Sequence, residues 1–165
     1  MVAAGFVFVP GTWSGMALRL GQCGFSAASG VIIFTSLATL TYSRTYSYVY
    51  LMCVMLLHFV WSFAQAVVYL RAQLAGDDIH RPGVAFLLAL GDGVVALLTF
   101  SAVSASALVT VLFAHDIGAC GLFPEFACDR YQLSVVLGSV AWLLQATSAF
   151  SNLCLMIKVA THAAP

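Results

Sequence analysis

Four runs of mostly apolar residues, 16–40, 48–70, 84–113 and 133–159, take up most of this chain. Each is long enough for the about 20 residues that an α-helix needs to cross hydrocarbon. None alternates apolar and polar residues as a barrel strand would. The predicted fold class is therefore an all-α membrane protein, a bundle of four transmembrane helices. Composition removes the soluble alternative. Only 7% of the 165 residues are charged and 62% are hydrophobic, whereas a soluble domain carries roughly 25% charged residues. One membrane domain over 16–159, between tails at 1–15 and 160–165, is the expected organisation. With zero net charge no basic balance points toward nucleic acid, and membrane lipid is the expected surrounding.

The breaks are short and polar: "TYSRTYS" at 41–47, "RAQLAGDDIHRPG" at 71–83, and the longer "AHDIGACGLFPEFACDRYQ" at 114–132. The opening segment lacks the positive n-region of a secretory signal, and Pro10 with Gly11 breaks a helix there. It reads as a tail on the membrane surface, without a myristoylation pattern, and no prenylation box is expected at the other end. Basic residues orient such a bundle. Arg71, Arg81 and Lys158, with Arg19 near the same face, outnumber Arg44 and Arg130 on the other. Both termini are therefore expected in the cytoplasm. Tyr42, Tyr46, Tyr48 and Tyr50 cluster at the expected outer boundary as an aromatic belt would.

That orientation puts Cys120 and Cys128 outside, where oxidising conditions favour a disulfide between nearby loop cysteines. Two free thiols are the alternative. Cys23, Cys53 and Cys154 fall within helices, as buried apolar residues or palmitoylation candidates. Asn152 heads no glycosylation sequon.

Asp92, in "LGDGVV", is the costly residue, because a buried carboxylate needs a compensating partner. It lies as far from the outer end of the third run as Arg19 lies from the outer end of the first. At about 1.5 Å per residue both belong near the inner boundary of the bilayer. Arg19 could snorkel to the cytoplasmic face, whereas the short side chain of Asp92 cannot. An ion pair between them is the expected solution, with Gly21, Gly91 and Gly93 letting the backbones approach.

Five segments stand in the order expected of one family: "ALRLGQ" at 17–22, "RPGV" at 81–84, "GDGVVALLT" at 91–99, "SASA" at 104–107 and "CDRYQLS" at 128–134. With them the chain resembles the Casparian strip membrane protein-like family of plants, close to its fifth subgroup, from about Gly11 to Lys158. The resemblance implies a multi-pass plasma-membrane protein of four helices with cytoplasmic termini. It implies an arginine in the first helix and an aspartate in the third as signature residues, here Arg19 and Asp92. It also implies paired cysteines in the second outer loop, here Cys120 and Cys128. Homodimers, heterodimers with family members and cell-wall-modifying proteins are the implied partners. Founding members form a static scaffold that directs local wall modification. Their longer first outer loop is replaced here by "TYSRTYS", so the resemblance implies plasma membrane rather than the Casparian strip itself.

Close helix packing in lipid favours small residues four apart. Gly24 with Ala28, Ser26 with Gly30, Ser101 with Ala105, Ala102 with Ser106, and Ser134 with Gly138 are the candidate faces. His58, Gln65 and Gln145 are further polar residues inside helices, with Asn152 lower down, and His58 reads as a hydrogen-bonded packing residue. His115, Asp116, Glu125 and Asp129 match no structural zinc spacing, so no metal is expected. Asp77 and Asp78 beside Gly76 read as a turn. No Cys-x-x-Cys, Gly-x-Ser-x-Gly, His-Glu-x-x-His or phosphate loop occurs, so neither catalysis nor a cofactor is expected. The resulting reading is a non-enzymatic, self-associating scaffold. A small oligomeric channel or transporter is the alternative, with Thr99, Ser101, Ser104 and Ser106 as its candidate polar stripe.

Overall fold

The computed structural model describes residues 13–39, 46–75, 82–113 and 128–163. Four helices run along them: α1 (Trp13–Thr39), α2 (Tyr46–Ala75), α3 (Pro82–Val111) and α4 (Cys128–Ala163). Each contains a segment long and apolar enough to cross a membrane. α1 packs against α2 and α4, and α3 packs against the same two. The helices therefore stand in a ring, with α1 and α3 across a diagonal. Neighbours are antiparallel: Gln22 meets Ser62, Tyr48 meets Thr110, and Ser29 meets Ser134. The start of α1 and the end of α4 lie together at what is here called the termini end.

The helices outrun the apolar stretches expected from sequence. α1 already includes Trp13–Gly15 of the expected tail, α2 continues to Ala75, and α4 begins at Cys128 and ends at Ala163. Hydrocarbon length picks out only the apolar part of a helix, and good helix formers such as "RAQLA" carry it further. Asp129 in the first turn of α4 suits the positive end of the helix dipole. Pro82 opens α3, in the first turn, where an N–H has no intrahelical acceptor and a fixed φ suits the helix.

Burial recurs in alternating steps of three and four residues. α1 turns Arg19, Gln22, Ser26, Ser29, Ile33 and Ser36 inward, and α2 turns in Leu51, Met55, His58, Ser62, Gln65 and Tyr69. α3 buries Asp92, Thr99, Ala102 and Ser106, and α4 buries Ser134, Ala141, Gln145, Ser148 and Asn152. A mean step of 3.5 is the seam of a left-handed bundle. The polarity is inverted with respect to a soluble bundle, because Leu20, Phe34, Leu97, Leu108 and Phe150 point outward. In lipid, burying a leucine brings no hydrophobic gain over leaving it exposed. Tight packing and interior hydrogen bonds must hold the helices together instead.

The two ends of the bundle differ. Away from the termini end, Ile33, Leu51, Val54, Met55, Ala102, Val103 and Val135 form an apolar layer. Tyr48 and Tyr131 close this layer with rings stacked 4.3 Å apart. Below it, Ser29 Oγ donates to Ser134 O (2.8 Å) and Ser134 Oγ donates to Ser29 O (3.1 Å), clipping α1 to α4. Gly138 keeps α4 close there, since a Cβ would lie 3.1 Å from Val103 Cγ2.

Candidate functional site

Asp92 is completely buried on α3, and each of the other three helices sends hydrogen-bond donors to it. From α1, Arg19 makes a bidentate ion pair: Nη1 donates to Oδ1 at 3.1 Å and Nη2 to Oδ2. From α2, Trp61 Nε1 (2.9 Å) and Gln65 Nε2 (2.8 Å) donate to Oδ1. From α4, Gln145 Nε2 donates to Oδ1 (2.9 Å), while Ser148 Oγ (3.1 Å) and Asn152 Nδ2 (2.6 Å) donate to Oδ2. The carboxylate joins all four helices.

The arginine is dressed less generously. Its Nη1 also donates to Gln22 Oε1 (3.0 Å), and its guanidinium carbon lies 5.7 Å from the centre of the Tyr69 ring. Gln22 is itself fixed, donating to Leu144 O (2.9 Å) and accepting from Ser62 Oγ (3.3 Å). Gly91 serves the site by being small. A Cβ there would run into the Trp61 ring, the same ring whose Nε1 reaches Asp92.

Chemically this is a closed arrangement. A carboxylate has about four acceptor directions, and the donors around Asp92 occupy all of them. Such a group is a poor base and a poor ligand for anything further, but it makes a strong multi-helix tie. Charge-assisted bonds in a low-dielectric interior are roughly twice as strong as neutral ones.

Residues 9–144 match the Casparian strip membrane protein domain. The chain belongs to the Casparian strip membrane protein family. CASP-like protein 5B3 of Oryza sativa subsp. japonica is 41% identical over 91% of this chain and 96% of its own length. CASP-like protein 5B1 of Arabidopsis thaliana is 38% identical over 90% and 95% respectively. CASP-like protein 5B2 of Zea mays is 36% identical over 88% and 93%. No solved structure matches.

In this Casparian strip membrane protein relative, the structure brings Arg19 and Asp92 together across the diagonal of the ring. Arg19 is 1% exposed, which leaves no snorkelling arginine. Of the glycines expected to let these backbones approach, Gly91 meets Trp61, Gly21 faces Leu144, and Gly93 has open space before it. The small-residue faces divide in two. Ala102, Ser106 and Gly138 face the bundle interior, and Ala105 is half-buried, whereas Gly24, Ala28 and Ser101 face outward. The expected stripe of Thr99, Ser101, Ser104 and Ser106 is not one face. Thr99 and Ser106 are buried, while Ser101 is exposed and bonds the Tyr50 hydroxyl (2.9 Å). The polar seam runs instead along α1, through Arg19, Gln22, Ser26, Ser29 and Ser36. Of that seam the sequence reading singles out Arg19 and Ser26 but not Gln22, Ser29 or Ser36, nor Trp61, Ser62 and Ser148 beside it, although the alternating spacing of three and four is visible in the sequence.

His58 is fully buried, with Nδ1 3.4 Å from Thr99 Oγ1. Cys23 is buried, Cys53 exposed and Cys154 half-buried, and all three are free. Tyr42, Arg44, Asp77, Asp78, Arg81, His115, Asp116, Cys120 and Glu125 lie outside the described residues. Cys128 opens α4, whereas Cys120, its partner in the expected disulfide, lies outside the described residues.

Proposed function

We propose that this protein is a non-enzymatic scaffold of the plasma membrane. In this reading both termini are cytoplasmic and the Cys120–Cys128 disulfide stiffens the second outer loop. The protein self-associates, and associates with relatives, through outward small-residue faces such as Gly24 and Ala28. The assembly organises a membrane domain and local cell-wall modification. One observation carries the reading: a single buried carboxylate ties four helices, which suits a rigid unit that others dock on better than a carrier that must rearrange. Membership of the family supports it.

The test is fluorescence recovery after photobleaching of a tagged copy in plant plasma membrane, with crosslinking of the same material. A scaffold recovers slowly and yields dimers. Free diffusion together with a purely monomeric protein in nanodiscs would overturn the proposal. The polar α1 seam favours the alternative of a channel, but within one bundle the apolar layer around Ile33, Leu51, Met55 and Ala102 interrupts it. Ion and small-solute flux into reconstituted vesicles separates the two, and the scaffold reading expects none above empty vesicles.

A further inference from the structure

The Gln145 amide has only one way to face. Its Nε2 donates to Asp92 Oδ1 at 2.9 Å and to Asp92 O at 3.3 Å, and turning it round would press a carbonyl oxygen against both acceptors. Oε1 is therefore the atom left for its other neighbour, His58, to which Gln145 is hydrogen-bonded. The histidine ring has a committed side of its own. Nδ1 lies 3.4 Å from Thr99 Oγ1, which leaves Nε2 for Gln145. Neither Gln145 Oε1 nor His58 Nε2 has any other partner among the described residues, and both side chains are 0% exposed.

We propose that the charge on Asp92 sets the tautomer of His58, acting through Gln145. An amide oxygen only accepts, so the ring nitrogen that meets it must carry a proton, and His58 is the Nε2–H form. A second ring proton, on Nδ1, would add a positive charge to an interior where Arg19 and Asp92 already cancel. Nδ1 is then bare and accepts from the Thr99 hydroxyl. The bonds run one way: from Thr99 on α3 to His58 on α2, to Gln145 on α4, and back to Asp92 on α3. Thr99 and Asp92 are both buried, two turns apart on α3, about 10 Å along its axis. His58 is thus a positioning residue of the Asp92 cluster. It holds the far end of the amide whose near end holds the carboxylate, and in such a chain each donor polarises the next.

The test is 15N nuclear magnetic resonance of the full chain in lipid nanodiscs, with the His58 ring assigned by its loss in His58→Gln. One species is expected, with Nε2 protonated, Nδ1 bare, and the Nε2 proton in through-space contact with the Gln145 amide. A ring protonated on Nδ1, on both nitrogens, or as a mixture would overturn the proposal, and so would the absence of that contact. Gln145→Met removes the acceptor and leaves Thr99, which serves either tautomer. The Nδ1–H form should then appear where the parent shows none, and an unchanged ring spectrum would overturn the coupling. Should Gln145→Met not be recovered folded, His58→Gln and His58→Leu make the comparison from the other side. Glutamine still offers an N–H and should keep the Gln145 amide as one sharp pair of signals, whereas leucine should split or broaden it. Equal Gln145 amide spectra in the two variants would count against His58 as the group that holds it.

Discussion

The neutral substitutions at the central pair, Asp92→Asn and Arg19→Gln, should differ in cost, and the structure sets the sense of the difference. Removing one member of a buried pair typically costs about 3–5 kcal/mol, because the other charge is stranded. After Arg19→Gln the carboxylate still has Trp61, Gln65, Gln145, Ser148 and Asn152 donating to it. After Asp92→Asn the guanidinium keeps at most one neutral bond to the asparagine oxygen, with Gln22 Oε1 and the face of Tyr69, and has no counter-charge among these contacts. The aspartate variant should therefore fall inside that range, and the arginine variant at or below its lower edge, at about 2–3 kcal/mol. The double neutral variant strands nothing, so it should be less damaged than the sum of the singles, with a coupling between about 0.5 and 3 kcal/mol. Reversible unfolding in bicelles, followed by tryptophan emission, measures all four corners of the cycle. Strict additivity would refute the pairing argument. An arginine variant costlier than the aspartate one would refute the account of how each charge is compensated.

Glycine substitutions should split by location. Gly91→Ala drives a methyl into the Trp61 ring and should destabilise by about 1–3 kcal/mol, while Gly93→Ala meets open space and should gain up to about 1 kcal/mol of helix propensity, both read in the same unfolding assay. Trp61→Phe keeps a ring against Gly91 but loses the donor to Asp92, for an expected loss of about 1–2 kcal/mol. Gly24→Leu should weaken crosslinked dimers without shifting the unfolding midpoint, because nothing in the bundle lies near that position. On intact cells, a membrane-impermeant thiol reagent should label Cys120 and Cys128 only after reduction. Labelling without reductant would remove the proposed disulfide, and a need for permeabilised cells would reverse the proposed topology.

The four helices were legible because apolar length is a local property, countable without knowing what packs on what. Arg19 and Asp92 were legible for a related reason: a charge in lipid is so expensive that its partner can be sought by depth alone. The uncharged donors were not. Gln145, Trp61 and Ser148 carry no such penalty, and a serine in a membrane helix can satisfy itself on its own backbone, as Ser139 does with Val135 O. Which way they face depends on helix rotation, and the information for that lay in the alternating spacing of three and four along α1. Small residues hide their role in the same way. Ala102 and Gly24 follow the same pattern in sequence, yet Ala102 is fully buried and Gly24 faces out. A leucine at Ala102 would therefore report on folding rather than on association.

The placement of the central charges also bears on how the chain is built. Cut between α2 and α3, it gives one hairpin carrying a buried cation with Gln22 and Tyr69, and another carrying a buried anion with Gln145, Ser148 and Asn152. Each hairpin can solvate its own charge in part, and neither can neutralise it. In the second hairpin α4 supplies three donors to the carboxylate, and the opposite charges of the two hairpins meet face to face. A chain stopped before α4 already holds both charges, on α1 and α3, yet its carboxylate lacks the three donors Gln145, Ser148 and Asn152. The last helix therefore completes the solvation of Asp92 rather than its neutralisation.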